Sequence, residues 1–441
     1  MLVSFTVENW KSFRRETTFL MDAGEERQHS ERVPVSKQNE IKIVPITAIY
    51  GGNASGKSNL FEALSFVQDC VVGRSRREDS PIGADPFRLD VQAPQRPSRF
   101  SVELLSEDAI YQFSFAVKSG LVTGEMLTRQ EKSKDVLLYE RKGGKFRFGS
   151  ALNDKRLLRE IAGTTRPNEL FLGLCCLLSI DSLAKVLDWF RNSLTLVSPH
   201  QEFFDAKMYF EDAWVSSMFE WLLPLLDTGI SRLEKEEIPL ESYPMPDELK
   251  ERYRNFPRAG KYRRFLPRDR GLGGGFVARE GGDLAVKGLA ALHRGENGKE
   301  FKFSLEQESA GTRRLLDFLA AIVLLVKEKS TRVFFIDDVD RSLHTNLTKE
   351  LIEKFLMSCG ADSRSQLIFT THDVLLMDQA LLRREEMWIA ERNRAGKSSL
   401  TPLSKYGKIP HDKDIRKIYL SGVLGGTPEL LTEGLDISGS G

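Results

Sequence analysis

Lys57 and Ser58 close the segment GGNASGKS, in which Gly51, Gly56, Lys57 and Ser58 fit the spacing GxxxxGK[ST]. Glycines at those places let backbone amides approach phosphate oxygens, and a helix starting there aims its positive end at them. Gly51, Gly52, Asn53, Ala54, Ser55, Gly56, Lys57, Ser58 and Asn59 are therefore candidates for holding a nucleoside triphosphate. Lys57 would pair with the β- and γ-phosphates and Ser58 would ligate Mg²⁺. The plainer alternative is a glycine turn joining a strand to a helix.

Three further segments complete the chemistry. RVFFIDDVD is an apolar run ending in two carboxylates, and a carboxylate at a parallel strand's carboxyl edge faces a nucleotide crevice. Asp337 is expected to hold Mg²⁺ opposite Ser58, and Asp338 to orient or deprotonate an attacking water. LIFTTHD places His372 at the end of another short run, about one crossover helix and one strand beyond Asp337. His372 then either hydrogen-bonds a γ-phosphate, or is incidental to a helix cap made by Thr371 or Asp373. SAGT puts Ser309 and Gly311 at the head of a long apolar helix, where they are either a second anion site or an N-cap.

These segments need a sheet to carry them. IKIVPITAIY is a short buried strand stopped by the glycines, and Leu60, Ala63, Leu64 and Val67 follow at helical spacing. RFSVELL, AIYQFSFAV and the residues around Phe146 alternate as antiparallel strands do. Residues 151–230 turn to helical periods, and 231–300 read as polar, glycine- and proline-rich loops. From 301 to 405 strand-like and helical runs alternate again, which predicts parallel strands with crossover helices. The expected fold is α/β, with an ATPase lobe at 1–150, a helical and basic insertion at 151–300 making partner or dimer contacts, and a second ATPase lobe at 301–435.

Composition narrows the classes. The 441 residues carry 64 Lys and Arg against 63 Asp and Glu, so bulk charge cannot draw the chain to nucleic acid. Four cysteines without a CxxC pair suggest neither a zinc knuckle nor a disulfide framework. The N-terminus lacks a continuous apolar signal segment, and the longest apolar stretches fall short of the roughly 20 residues that cross a bilayer. The expectation is a cytoplasmic protein without membrane contact, its terminal SGSG a frayed tail or engineered linker.

In this order the segments resemble an ABC-type ATPase head of the SMC- and RecF-like class. VENWKSF is similar to the opening of such heads. GGNASGKS matches Walker A, SAGT the signature, VFFIDD Walker B, RSLH the D-loop and TTHD the H-loop. PFRLD, MWIAERN and IYLSGVLGGTPEL sharpen the likeness toward the RloA/AbiLi-type ATPases of phage-defence and abortive-infection loci, and AriA of the PARIS system is similar. The resemblance implies a head-to-tail homodimer holding ATP and Mg²⁺ between Walker A of one subunit and the signature of the other. Ser309 and Gly311 would then meet the γ-phosphate in trans. Ser342 and His344 would cross the interface, and Lys11 and Ser12 would lie near the adenosine. It implies an ATP-hydrolysing sensor that controls a separate effector, such as a nuclease or toxin. A DNA-clamping maintenance ATPase and an ATP-binding scaffold with negligible turnover are the alternatives.

Two features depart from the pattern. The second Walker B acid is Asp338 where Glu is usual, which predicts slow turnover, and no Q-loop glutamine is obvious, Gln92 and Gln95 after PFRLD being the candidates. Residues 249–270 carry nine cations, with Tyr253, Phe256, Tyr262 and Phe265 among them. Such a run suits nucleic acid, an acidic partner protein or an ordinary solvated loop. No second catalytic centre is legible, and the tail after His372 is short for a nuclease domain.

Overall fold

Ile46–Tyr50 is buried at every residue, as a strand covered on both faces must be. In the computed structural model it lies inside a mixed sheet, parallel to Gln366–Thr371 on one side and to Met387–Arg392 on the other. Val333–Ile336 continues the parallel set beyond Gln366–Thr371, and Ser398–Pro402 closes the other edge antiparallel to Met387–Arg392. The structure describes residues 1–36, 38, 40–73, 81–131, 134–178, 180–255, 264–265, 275–280, 283–407 and 413–427. None of its described helices is long and apolar enough to cross a membrane.

The chain divides into two compact units. The first comprises Met1–Leu196, Lys329–Asp338 and Leu356–Gly441. Besides the mixed sheet it holds a seven-stranded antiparallel sheet that includes Leu2–Glu8, Ser98–Ser106, Ala109–Lys118 and Leu121–Glu131. The helix Lys57–Val72 joins the two sheets. Its Leu60, Leu64 and Val67 share one apolar cluster with Phe100, Phe113 and Phe115 of the antiparallel sheet and with Val333, Phe335 and Ile368 of the mixed one. Burial of such side chains stabilises by about 1.5–3 kcal/mol each, so the helix that follows the phosphate loop is anchored in the unit's core.

The second unit comprises Val197–Glu328 and Val339–Phe355. Ile230–Pro239, Phe276–Glu280, Asp283–Arg294 and Glu300–Ser304 form an antiparallel sheet there. The helix Ala310–Val326 is held within the same unit. Asp317 accepts the amides of Phe203 and Phe204 at 2.7 Å each, and Trp214 Nε1 donates to the Val323 carbonyl at 3.0 Å.

This division differs from the expected boundaries at 150 and 300. Lys155–Thr164 and Phe171–Leu178 bury Leu158, Ile161, Phe171 and Cys175 in the first unit's core, so they are not part of an insertion. Residues 231–300 are not mainly loops, and the region is not purely helical. Ile230–Pro239 is a ten-residue strand that pairs along nearly the whole of Asp283–Arg294. The expected C-terminal lobe is shared between the units. Two of its strands, Gln366–Thr371 and Met387–Arg392, flank Ile46–Tyr50, with Val333–Ile336 and Ser398–Pro402 paired outside them, while its long helix is fastened to Phe203, Phe204 and Trp214.

One buried side chain stitches the first unit's sheets together. Gln366 Oε1 accepts the Leu2 amide at 2.6 Å, and its Nε2 donates to the carbonyls of Leu2 at 2.9 Å and Val44 at 3.2 Å. Gln366→Leu leaves those groups without this partner, and the expected loss is about 3 kcal/mol of stability in denaturant unfolding. A change below about 0.5 kcal/mol would show that the strands hold register without the amide.

Candidate active site

Strand register decides which residues meet. Ile336 stands opposite Phe369, and Thr371 opposite Tyr50. Gly51, Asp337 and His372 therefore leave their strands at one carboxyl edge, where open α/β sheets bind ligands.

The phosphate loop is shaped by close contacts. Gly56 sits at φ +113° immediately before the helix, and a Cβ there would lie 2.4 Å from Ser398 Oγ. No residue but glycine fits. Gly56 has no side chain with which to cap the helix, so the helix presents its positive end at the loop. Ser398 Oγ donates to the Ser55 carbonyl at 2.7 Å and bonds Ser12 Oγ at 2.8 Å. Asn59 Nδ2 donates to the same Ser12 hydroxyl at 2.6 Å. Ser12 thus joins the loop, and the Lys11 side chain is ion-paired with Glu62 on the loop's helix. Ser398 carries no sequence signal: it is one serine in a hairpin, and only the fold brings it here.

Lys57 is buried, and its Nζ donates to the carbonyls of Gly51 at 2.7 Å and Gly52 at 3.2 Å and to His372 Nε2 at 3.2 Å. His372 Nε2 is also 3.7 Å from Asp338 Oδ1. The Thr370 hydroxyl links the two acids: it accepts the Asp338 amide at 2.8 Å and donates to Asp337 Oδ1 at 2.6 Å. Thr370 carries no sequence signal of this role, which depends on the neighbouring strand Val333–Ile336.

Burial pushes the Asp337 carboxyl above its ordinary range and the nearby Asp338 charge adds to this, while hydrogen bonds from Thr370 and Ser58 and the charge of Lys57 pull the other way. A buried carboxylate beside an exposed serine hydroxyl is a hard-oxygen pair whose desolvation cost a divalent cation offsets, so the donor set fits Mg²⁺.

Ser309, Gly311, Ser342 and His344 all lie in the second unit. Ser309 caps its helix, accepting the Thr312 amide at 3.0 Å, and His344 Nδ1 accepts the Asn346 amide at 3.2 Å. A Cβ on Gly311 would lie 2.8 Å from the Ser342 carbonyl oxygen, so the signature and the D-loop are adjacent. Both capping serine and D-loop serine are exposed. Gln92 and Gln95 are exposed at a short turn on the far side of PFRLD, which Asn9 holds by accepting the Phe87 amide at 3.2 Å.

Most of the basic stretch lies outside the described residues, among them Phe256, Arg258, Lys261, Tyr262, Arg263, Arg268 and Arg270. Of the described part, Arg254 Nε reaches Glu241 Oε1 at 2.9 Å and Lys250 Nζ the Glu241 carbonyl at 2.7 Å. Tyr253 is buried in a small core with Leu240, Tyr243 and Met245.

The sheet, loop and acids define a P-loop protein of ATPase type. The chain belongs to the family described as "AAA domain, putative AbiEii toxin, Type IV TA system", whose profile matches residues 46–378. No curated protein matches it. The SMC head domain of Thermotoga maritima is 15% identical, with a TM-score of 0.38 over 91% of this chain and 98% of that one. An SMC head bound to the C-winged helix domain of ScpA is 12% identical, with a TM-score of 0.41 over 92% of this chain and 99% of that one. Likenesses this distant leave the assignment to the family match and to the site.

Proposed function

We propose that the protein is an ATP-hydrolysing switch of bacterial phage defence that controls a separate effector. The observation that carries the catalytic part is the meeting of Lys57, Ser58, Asp337, Asp338 and His372 at one sheet edge. Lys57 binds phosphate oxygens, and the first-turn amides complete the cradle. Ser58 and Asp337 would hold Mg²⁺, which when bound neutralises charge developing on the phosphates. Asp338 orients the attacking water and takes its proton, and His372 hydrogen-bonds beside it. The family description supports a place in a defence or toxin–antitoxin system. The motif resemblance to RloA/AbiLi-type ATPases and to AriA supports the finer reading of a nucleotide-controlled sensor.

The resemblance also supports a head-to-tail homodimer. In that arrangement the exposed Ser309 serves the nucleotide of the partner subunit. Complementation tests it: Lys57→Ala and Ser309→Arg are each expected to be inactive alone. Mixed, they form heterodimers with one intact composite site, and ATP turnover should return to a substantial fraction of the parent's. No recovery on mixing, with exchange of subunits shown by light scattering or tagged pull-down, would reject the shared site. Co-purification from the native host, with the bound protein and any nucleic acid identified, tests the effector.

A further inference from the structure

The Gly52 amide, the second residue of the phosphate loop, does not face the loop's interior. It donates to the carbonyl of Gly426, 2.6 Å away, in the turn that follows the helix Ile415–Leu420. That carbonyl also accepts the buried Tyr419 hydroxyl at 3.1 Å. The Gly51–Gly52 peptide is planar and trans, so its N–H and its C=O point in opposite directions. Its C=O is the Gly51 carbonyl that receives Lys57 Nζ at 2.7 Å. One peptide plane is therefore gripped on one edge by Gly426 and on the other by Lys57.

The approach is too close to be accidental. Gly426 lies at φ +71°, and a Cβ there would stand 2.6 Å from Ile389 Cγ2 and 3.1 Å from the Ala390 carbonyl oxygen. A Cβ on Gly51 would stand 2.4 Å from that same Ala390 oxygen. Glycines on both sides of the strand end let three stretches of backbone stack. Tyr406 fastens the turn from outside, its hydroxyl donating to the Leu424 carbonyl at 2.9 Å.

We infer that the turn at Gly426, held by Tyr419, is a positioning element of the phosphate loop: it fixes the peptide on which Lys57 rests and so sets nucleotide affinity from outside the motif. The inference rests on reading that loop as the nucleotide site. Both residues lie outside the GGNASGKS motif and act on it through the Gly52 amide, so the effect belongs to binding and loop order.

Tyr419→Phe removes one hydroxyl and keeps the buried ring, and Gly426→Ala forces the turn away from Ile389. Hydrogen–deuterium exchange across residues 51–56 without nucleotide, and calorimetric titration with Mg-ATP, read the result. Loop exchange is expected to quicken and the Kd for Mg-ATP to rise, about threefold for Tyr419→Phe and about tenfold or more for Gly426→Ala. Peptides from Val333–Ile336 and Gln366–Thr371 should exchange as in the parent. Should Gly426→Ala not fold, Tyr419→Phe alone decides. Parental loop exchange and parental Kd in the folded variants, with binding still lost in Lys57→Ala, would overturn this inference and leave the site reading standing. Parental affinity in Lys57→Ala would overturn the site reading, and the inference with it.

Discussion

Lys57→Ala is expected to raise the Kd for Mg-ATP about 100-fold, the equivalent of about 3 kcal/mol, by removing charge-assisted hydrogen bonds to phosphate. Turnover at saturating ATP should fall by a further factor on the order of 100, because the same ammonium would stabilise charge in the transition state. The geometry explains why alanine cannot be compensated. The ammonium sits in a buried position where the Gly51 and Gly52 carbonyls and His372 already converge on it. Those carbonyls belong to the loop, so the lysine in its resting position also ties the loop's start to its end. A modest loss of thermal stability should accompany the loss of binding, since two carbonyls lose a donor but no apolar core is opened. Calorimetry separates the effects: a folded variant whose Kd stays within threefold of the parent's would remove Lys57 from phosphate binding.

What could be read from the amino-acid order was whatever covalent spacing settles. Glycines at 51 and 56 with Lys57 and Ser58 form a loop whose function depends on neighbours in the chain. The apolar runs before Gly51, Asp337 and His372 are short enough to be strands and little else. The remainder depends on contacts made across the sequence. Ser398 reaches the Ser55 carbonyl only because Ser398–Pro402 closes the sheet edge, and Gly426 reaches Gly52 only because the turn folds back over Ala390. The strand Ile230–Pro239 was hidden for a different reason. One of its faces is a ladder of charges, with Arg232 paired to Glu300 at 3.0 Å and Lys302 to Glu236 at 3.2 Å, so the alternation that marks a half-buried strand is weak. The helices Lys155–Thr164 and Phe171–Leu178 are legible from periodicity but the core they join is not, because periodicity reveals an apolar face and not what that face covers.

Asp338 is the position where sequence and structure combine into the sharpest expectation. Its backbone lies at φ +50°, in a region that asparagine and aspartate tolerate better than most residues. Its amide is pinned by Thr370, so the carboxylate's reach is set by the length of its own side chain. Asp338→Asn keeps shape and backbone preference but cannot accept a proton, and turnover should fall by about 100- to 10,000-fold while Mg-ATP still binds. Asp338→Glu restores the missing methylene, extending the carboxylate by about 1 Å, a distance that can be worth on the order of 100-fold in rate. The expected result is faster turnover than the parent, against a small cost in stability because glutamate is less at ease in this backbone region. Single-turnover measurements of phosphate release decide both. A glutamate variant no faster than the parent would show that side-chain reach does not limit the step. An asparagine variant within a few-fold of the parent would take the proton-accepting role away from Asp338 and leave His372, 3.7 Å away, as the group to examine.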